Sequence, residues 1–264
     1  MSESLGAIKG DNGCFYGQEW REDAFDLHID ALLLDAAGKM GPEAARIAVD
    51  VGCGTGYRAS LLARLNIFER VIACDLNDKR GDIELRREKL GTTSPAQGLA
   101  CAANEVFGRM RTSLDFLQAS ATELRPERFP KSEISFINFR NVGHFLAPRD
   151  FRAALINIGR IAASGALVAV SFDYLREDGK QRGSALSLDD DKNPEAFYND
   201  PFWLNQSHAP YGKYRASEVT DLMKKLGFSI LPLPAAVHSP DLRFSECRIL
   251  AKAPCNDAMG HPHP

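Results

Sequence analysis

The densest group of chemically useful residues in this 264-residue chain is Asp50-Val51-Gly52-Cys53-Gly54-Thr55-Gly56. Glycines at alternate positions let the backbone approach a ligand with no Cβ in the way. The apolar run 46–52 reads as a buried strand and the segment GYRASLLARLN as a helix. That is the setting in which free N–H groups at a helix start receive an anionic or polar group. The spacing is G-x-G-x-G, not the G-x-G-x-x-G of dinucleotide folds, and the Lys-Ser/Thr of a phosphate-binding P-loop is absent. A second acid, Asp75, ends the apolar run 69–75, about 20 residues on, where a carboxylate can grip a ribose diol. The plain alternative is a structural turn in some other α/β protein. The agreement of loop, second acid and strand rhythm speaks against it.

A second set of candidates follows later strands. His144 comes after the apolar run 133–139; it is either a proton acceptor or a packed histidine bonded to backbone. Asp173 and Tyr174 follow the run 165–172, and Asp173 is either a site carboxylate or the cap of the next loop. His208 lies among Phe197, Tyr198, Phe202, Trp203, Tyr211 and Tyr214. It is a weaker base candidate than His144. Tyr16 and Arg21, beside Trp20, precede the first predicted helix, where they meet a ligand or staple the helix start. His261 and His263 sit in a terminal HPHP, a poor frame for a rigid metal site. With no H-E-x-x-H, paired cysteine cluster or nucleophile elbow, no metal is expected.

Elements that hold these residues can be read from the same chain. A helix is predicted over 22–37, with Phe25, Ile29, Leu32, Leu33 and Ala36 on one face and Gly38, Gly41 and Pro42 stopping it. Strands are predicted over 46–52, 69–75, 114–120, 133–139 and 165–172. Between the last two runs a helix carries Pro148 in its first turn. ASEVTDLMKKLG is a helix closed by Gly227, and FSILPL with FSECRILAKA forms a terminal strand pair. Strands alternating with helices imply a doubly wound, mostly parallel seven-stranded α/β sheet covered on both faces. Residues 1–45 form an N-terminal segment and helix, 46–252 the main domain, 173–214 an aromatic-rich insertion after the fifth strand, and 253–264 a flexible tail.

Composition narrows the partners. Lys plus Arg is 32 and Asp plus Glu 35, a net charge of −3. That balance argues against a nucleic-acid or anionic-membrane partner. No run of 18 apolar residues occurs, and the polar N-terminus lacks the apolar stretch of a secretory signal. The six cysteines include no C-x-x-C pair, which predicts reduced thiols and a cytoplasmic location.

VDVGCGTG followed by VIACDLN resembles motifs I and II of the class I S-adenosylmethionine-dependent methyltransferases, a Rossmann-like family, over about residues 46–252. The resemblance implies S-adenosylmethionine as cofactor. It implies that Gly52, Cys53 and Gly54 contact the methionine part, that Asp50 orients the loop and the amino group, and that Asp75 takes the ribose hydroxyls. Leu76 and Asn77 then flank the adenine. Family members often carry an acid after the third strand; here Ser120 and Ala121 stand at that place. Asn138-Phe139-Arg140-Asn141-Val142 corresponds to motif IV, so Arg140 and Asn141 wall the methyl-donor end. In related small-molecule enzymes the segment before the first helix folds over the cofactor, which brings Tyr16 and Arg21 to the methionine carboxylate.

The function so implied is methyl transfer to a small-molecule acceptor by in-line displacement, with residues 173–214 as a lid over the acceptor. The bland alternative for that segment is a loop packed on the sheet edge. A protein carboxyl or RNA methyltransferase is a second reading. Arg140-Asn141-Val142 loosely resembles the fourth-strand exit of chemotaxis-receptor carboxyl methyltransferases, but residues 1–45 are too short for their helical domain. The N-P-P-Y/F motif of base methylation is absent. A non-catalytic S-adenosylmethionine-binding protein is the third reading.

Overall fold

A computed structural model of the chain describes residues 8–9, 15–16, 24–40, 46–81, 112–129, 134–173, 185–189, 197–198, 212–237 and 246–254. The chain divides into two compact units, residues 1–119 and 120–264. The strands of the main sheet run in the order β10-β11-β7-β6-β3-β4-β5, the seven-stranded mixed α/β architecture expected from the alternation of strands and helices.

In the first unit, β1 (Ile8–Lys9) pairs antiparallel with β2 (Phe15–Tyr16). Helix α1 (Ala24–Met40) follows, then β3 (Ile47–Val51), α2 (Tyr57–Arg64), β4 (Arg70–Asp75) and β5 (Ser113–Gln118). β3 and β4 are parallel, as are β4 and β5. Every residue of β3 is buried, as a strand covered on both faces requires. Along α1, Phe25, Ile29, Leu33 and Ala37 are buried at a spacing of four. The predicted face is thus off by one at its end: Ala37 is buried and Ala36 exposed. The helix also continues through Gly38 to Met40, because a single glycine costs a helix only about 1 kcal/mol.

The second unit holds β6 (Ile134–Arg140), α3 (Pro148–Ile161), β7 (Leu167–Asp173), β8 (Ala185–Leu186), β9 (Lys213–Tyr214), α4 (Ala216–Lys225), β10 (Ser229–Leu231) and β11 (Glu246–Lys252). β6 and β7 are parallel; β11 runs antiparallel to both β7 and β10. Pro148 opens α3 at its first position, where its missing N–H costs no helix bond. Phe151, Ala154, Leu155 and Ile158 bury the inner face of α3. Gly227, at φ +86°, ends α4 as the left-handed residue a helix terminus favours.

The described residues of the segment 173–214 are packed rather than open. β8 and β9 pair in parallel, and Leu186, Leu188, Phe197 and Tyr214 are buried. The Tyr214 hydroxyl donates to the Leu146 carbonyl. Tyr198 donates to Asp150 Oδ2 at 2.6 Å and accepts the Ala147 N–H at 3.3 Å. These bonds supply a cap to α3, whose Ala147 offers no side-chain oxygen. Ala253 N–H donates to Ala166 O at 2.8 Å, and Ala253 and Pro254 are buried; the rest of the expected tail lies outside the described residues.

Candidate active site

The glycine loop leaves β3 in a conformation that side chains resist. Gly52, Gly54 and Gly56 have φ of +71°, +53° and +74°. The N–H groups of Gly52 and Cys53 both donate to Cys74 O, at 2.8 and 2.9 Å, which pins the loop to the exit of β4. A Cβ on Gly54 would meet nothing within 4 Å, so the space in front of the loop is open. Asp75 clasps this loop: its Oδ2 accepts Gly54 N–H at 2.9 Å and its Oδ1 accepts Asn77 N–H at 3.1 Å. A carboxylate has about four lone-pair positions, so two backbone bonds leave room for a diol. Beside it, Leu76 is 66% exposed, an apolar surface suited to a flat base. Gln118 Nε2 donates to Leu76 O at 3.1 Å and steadies that turn. Burial, then the Asp50 and Asp75 charges, push the Cys53 thiol above its ordinary range. It is therefore a neutral packing group. Cradle, carboxylate and exposed leucine together fit the cofactor that the sequence motifs imply.

Sequence reasoning misses the anchor of the helix that follows. Arg58, second residue of α2, donates to Asp30 Oδ1 at 2.6 Å and Oδ2 at 3.1 Å, and lies 3.4 Å from Asp26. All three side chains are buried. Burial alone would lower the guanidinium's pKa; Asp30 and Asp26 overcome that and hold it above its usual value. The available signal is Asp26 and Asp30 flanking Ile29, acids on an otherwise apolar helix face.

In the second unit, Ser120 serves its own turn. Its Oγ accepts Thr122 N–H at 3.2 Å and caps the short 3-10 turn Ala121–Glu123. Arg140 is buried, with its guanidinium 3.5 Å from Glu246 Oε1. Arg248 reaches the same glutamate at 2.9 Å. Asn141, at φ +56°, donates its N–H to Ser171 O at 2.9 Å, and its Oδ1 accepts Ser171 Oγ at 3.1 Å. Asparagine tolerates this left-handed geometry better than most residues. Gly143 has no room for a Cβ, which would lie 2.6 Å from the Phe151 ring.

His144 and Asp173 are brought together, through backbone rather than side chain. His144 Nδ1 accepts the Asp173 N–H at 3.3 Å, and the His144 carbonyl accepts Gly212 N–H at 2.7 Å. Burial pushes the imidazole down to about 3, so it is neutral at physiological pH. Burial pushes the Asp173 carboxyl up to about 6; Lys213 opposes this and Glu246 adds to it. Lys213, Glu246 and Arg248 are not among the residues singled out by sequence reasoning. Tyr16 belongs to β2, and Arg21, Tyr174 and His208 lie outside the described residues. Among the described residues, no group of three or more His, Cys, Asp and Glu is placed to hold a metal ion, and no helix is long and apolar enough to cross a membrane.

The sheet order and the clasped loop define an α/β protein with a G-x-G-x-G loop at the exit of β3. Residues 49–170 match a family model described as a methyltransferase domain. This match covers just under half of the chain and agrees with the resemblance of its motifs to the class I S-adenosylmethionine-dependent methyltransferases. In fold the chain is similar to the CurJ carbon methyltransferase, with a TM-score of 0.55 at 15% identity over 89% of this chain and 56% of that one. It is also similar to an S-adenosylmethionine-dependent methyltransferase from Methanosarcina mazei, at TM-score 0.50 and 15% identity over 81% of this chain and 94% of that one. The chain thus spans little more than half the length of the first of these. No curated protein matches its sequence.

Proposed function

We propose that the chain transfers the methyl group of S-adenosylmethionine to a small-molecule acceptor by in-line displacement. The observation that carries this reading is the loop open at Gly54 and clasped by Asp75 beside the exposed Leu76. When bound, S-adenosylmethionine supplies a methyl carbon made electrophilic by its sulfonium sulfur. The chain's task is then to bind, orient and exclude water. Asp50, Gly52, Cys53 and Gly54 hold the methionine part, with Tyr16 and Arg21 at its carboxylate. Asp75 holds the ribose; Leu76, Asn77, Ser120 and Ala121 border the adenine. Arg140 and Asn141 border the donor end, and His144, Asp173, Tyr174 and His208 belong to the acceptor side. The lid expected over 173–214 falls largely outside the described residues.

A small acceptor is favoured by the net charge of −3, which offers no basic excess for RNA. The cysteines Cys53, Cys74 and Cys247 form no disulfide among the described residues, in keeping with a reducing, cytoplasmic setting. The test is transfer of label from methyl-labelled S-adenosylmethionine into separate metabolite, protein and RNA fractions. Label in the metabolites is expected. Label in protein or RNA would replace the acceptor class. Donor binding with no transfer to any fraction would make the chain a non-catalytic binder.

A further inference from the structure

Asp173 closes β7, and antiparallel pairing sets Glu246 of β11 opposite it. The two acids have different company. Arg248 holds Glu246 at 2.9 Å and Arg140 approaches it at 3.5 Å. Among the described residues, Arg140 and Arg248 both pair with Glu246, and Lys213 of β9 is the cation that acts on Asp173. Among the described residues, the charged and titratable groups around Asp173 are Lys213, Glu246 with its two arginines, and the His144 ring.

His144 is placed to hold rather than to accept. Its Nδ1 already takes the Asp173 N–H at 3.3 Å. A neutral imidazole that accepts at Nδ1 carries its proton on Nε2. That nitrogen is then a donor, and taking a further proton would make an imidazolium in a site only 5% exposed. Among the described residues no hydrogen bond occupies the Asp173 carboxylate, which is half-buried at a strand exit.

We propose that Asp173 accepts the proton released by the acceptor, and that His144 is a positioning residue that fixes the exit of β7 through the Asp173 N–H. This rests on the methyl-transfer reading. The acceptor X–H gives its lone pair to the methyl carbon, and the X–CH₃ bond forms as the S–CH₃ bond breaks. The electron pair of the broken bond stays on sulfur. The X–H proton passes to the Asp173 carboxylate and from there to solvent. A carboxyl raised to about 6 is ionised at neutral pH yet basic enough for this task, whereas an imidazole held near 3 is a weak base.

The experiment compares wild type, Asp173→Asn and His144→Asn. Asparagine keeps an acceptor oxygen near the place of Nδ1. The first readout needs no activity. In the whole protein, difference infrared spectra should show a carboxyl titrating at about 6 that Asp173→Asn removes. ¹⁵N NMR should show His144 with its proton on Nε2 and no titration between about pH 5 and 8. A His144 signal titrating near 6.5, or an Asp173 carboxyl titrating near 4, would overturn the assignment. The second readout is the pH dependence of label transfer from methyl-labelled S-adenosylmethionine into a fixed metabolite extract. His144→Asn should keep the acid limb near 6 with a loss of roughly tenfold or less; Asp173→Asn should lose the limb and about 100-fold or more in rate. An acid limb that survives in Asp173→Asn overturns the proton role alone. A wild type that binds the donor and transfers no label overturns the underlying reading, and this proposal with it.

Discussion

Each unit holds a cluster of three charges, buried in the first and partly buried in the second, and the two clusters are of opposite composition. In the first unit one guanidinium, Arg58, lies between two carboxylates, Asp26 and Asp30. In the second, one carboxylate, Glu246, lies between two guanidiniums, Arg140 and Arg248. The first cluster joins α1 to α2, the helix that begins at the glycine loop. Its role is to hold an element in place. The second draws Arg140 and Arg248 to Glu246 and leaves Asp173, its strand neighbour, under the influence of Lys213 as the cation among the described residues. A buried charge cluster can thus either fix a scaffold or decide which neighbouring acid remains chemically available.

The largest effect should come from the first cluster. Arg58→Met leaves Asp26 and Asp30 buried without their cation, and breaking a buried pair costs about 3–5 kcal/mol. Urea unfolding measures it. Replacing all three residues by Leu, Leu and Met should recover most of the loss. A single variant that costs less than about 1 kcal/mol would remove the scaffold role.

Asp75→Ala should act on affinity rather than on the fold. Charge-assisted bonds to ribose hydroxyls contribute about 1.5–3 kcal/mol each, so donor binding by calorimetry should weaken by at least about tenfold. A folded variant with unchanged affinity would take Asp75 out of the cofactor site. Gly143→Ala tests the second unit's packing. Its Cβ would come within 2.6 Å of the Phe151 ring, an overpacking that costs about 1–3 kcal/mol in urea unfolding. An unaffected midpoint would mean that the His144 turn shifts freely.

The smallest effect is a pH-dependent gain. The Asp173 carboxyl is raised from 3.8 to about 6, so its contribution is favourable when protonated. That stability is fully present below about 3.8 and is lost as pH rises through about 6. Asp173→Asn stays neutral throughout. It should therefore be more stable than wild type by about 1–2 kcal/mol at pH 7.5 and equal to it at pH 4. Equal stability at both values would show that Asp173 is not desolvated. His144 has the opposite sense: lowered from 6.5 to about 3, it supports the fold above about 6.5 and withdraws that support as pH falls towards 3.

The same contrast governs what the sequence makes legible. The loop and Asp75 can be read because both lie at the ends of apolar runs and their spacing is local. β3 and β4 can be read because a buried parallel strand is a continuous apolar stretch. The helix face at Ala36 and Ala37 cannot, since both residues are small and apolar and only packing chooses between them. The second unit depends on contacts remote in sequence. The bond from the Asp173 N–H to His144 and the pairing of Glu246 with Asp173 follow from sheet register. No local pattern encodes them. For Tyr198 and Tyr214, aromatic content suggests a lid, yet their hydroxyls bond to residues 146–150. Composition cannot separate a wall of a pocket from a strut beneath one.

The central claim is that the glycine loop is an S-adenosylmethionine cradle, and calorimetry of the whole chain tests it directly. S-adenosylmethionine and S-adenosylhomocysteine should both bind with measurable heat, and NAD should not. Gly54→Val should abolish that heat, because valine resists φ +53° and fills the open space before the loop. Tight binding of NAD with no response to either sulfur compound, or unchanged donor binding in Gly54→Val, would contradict the account.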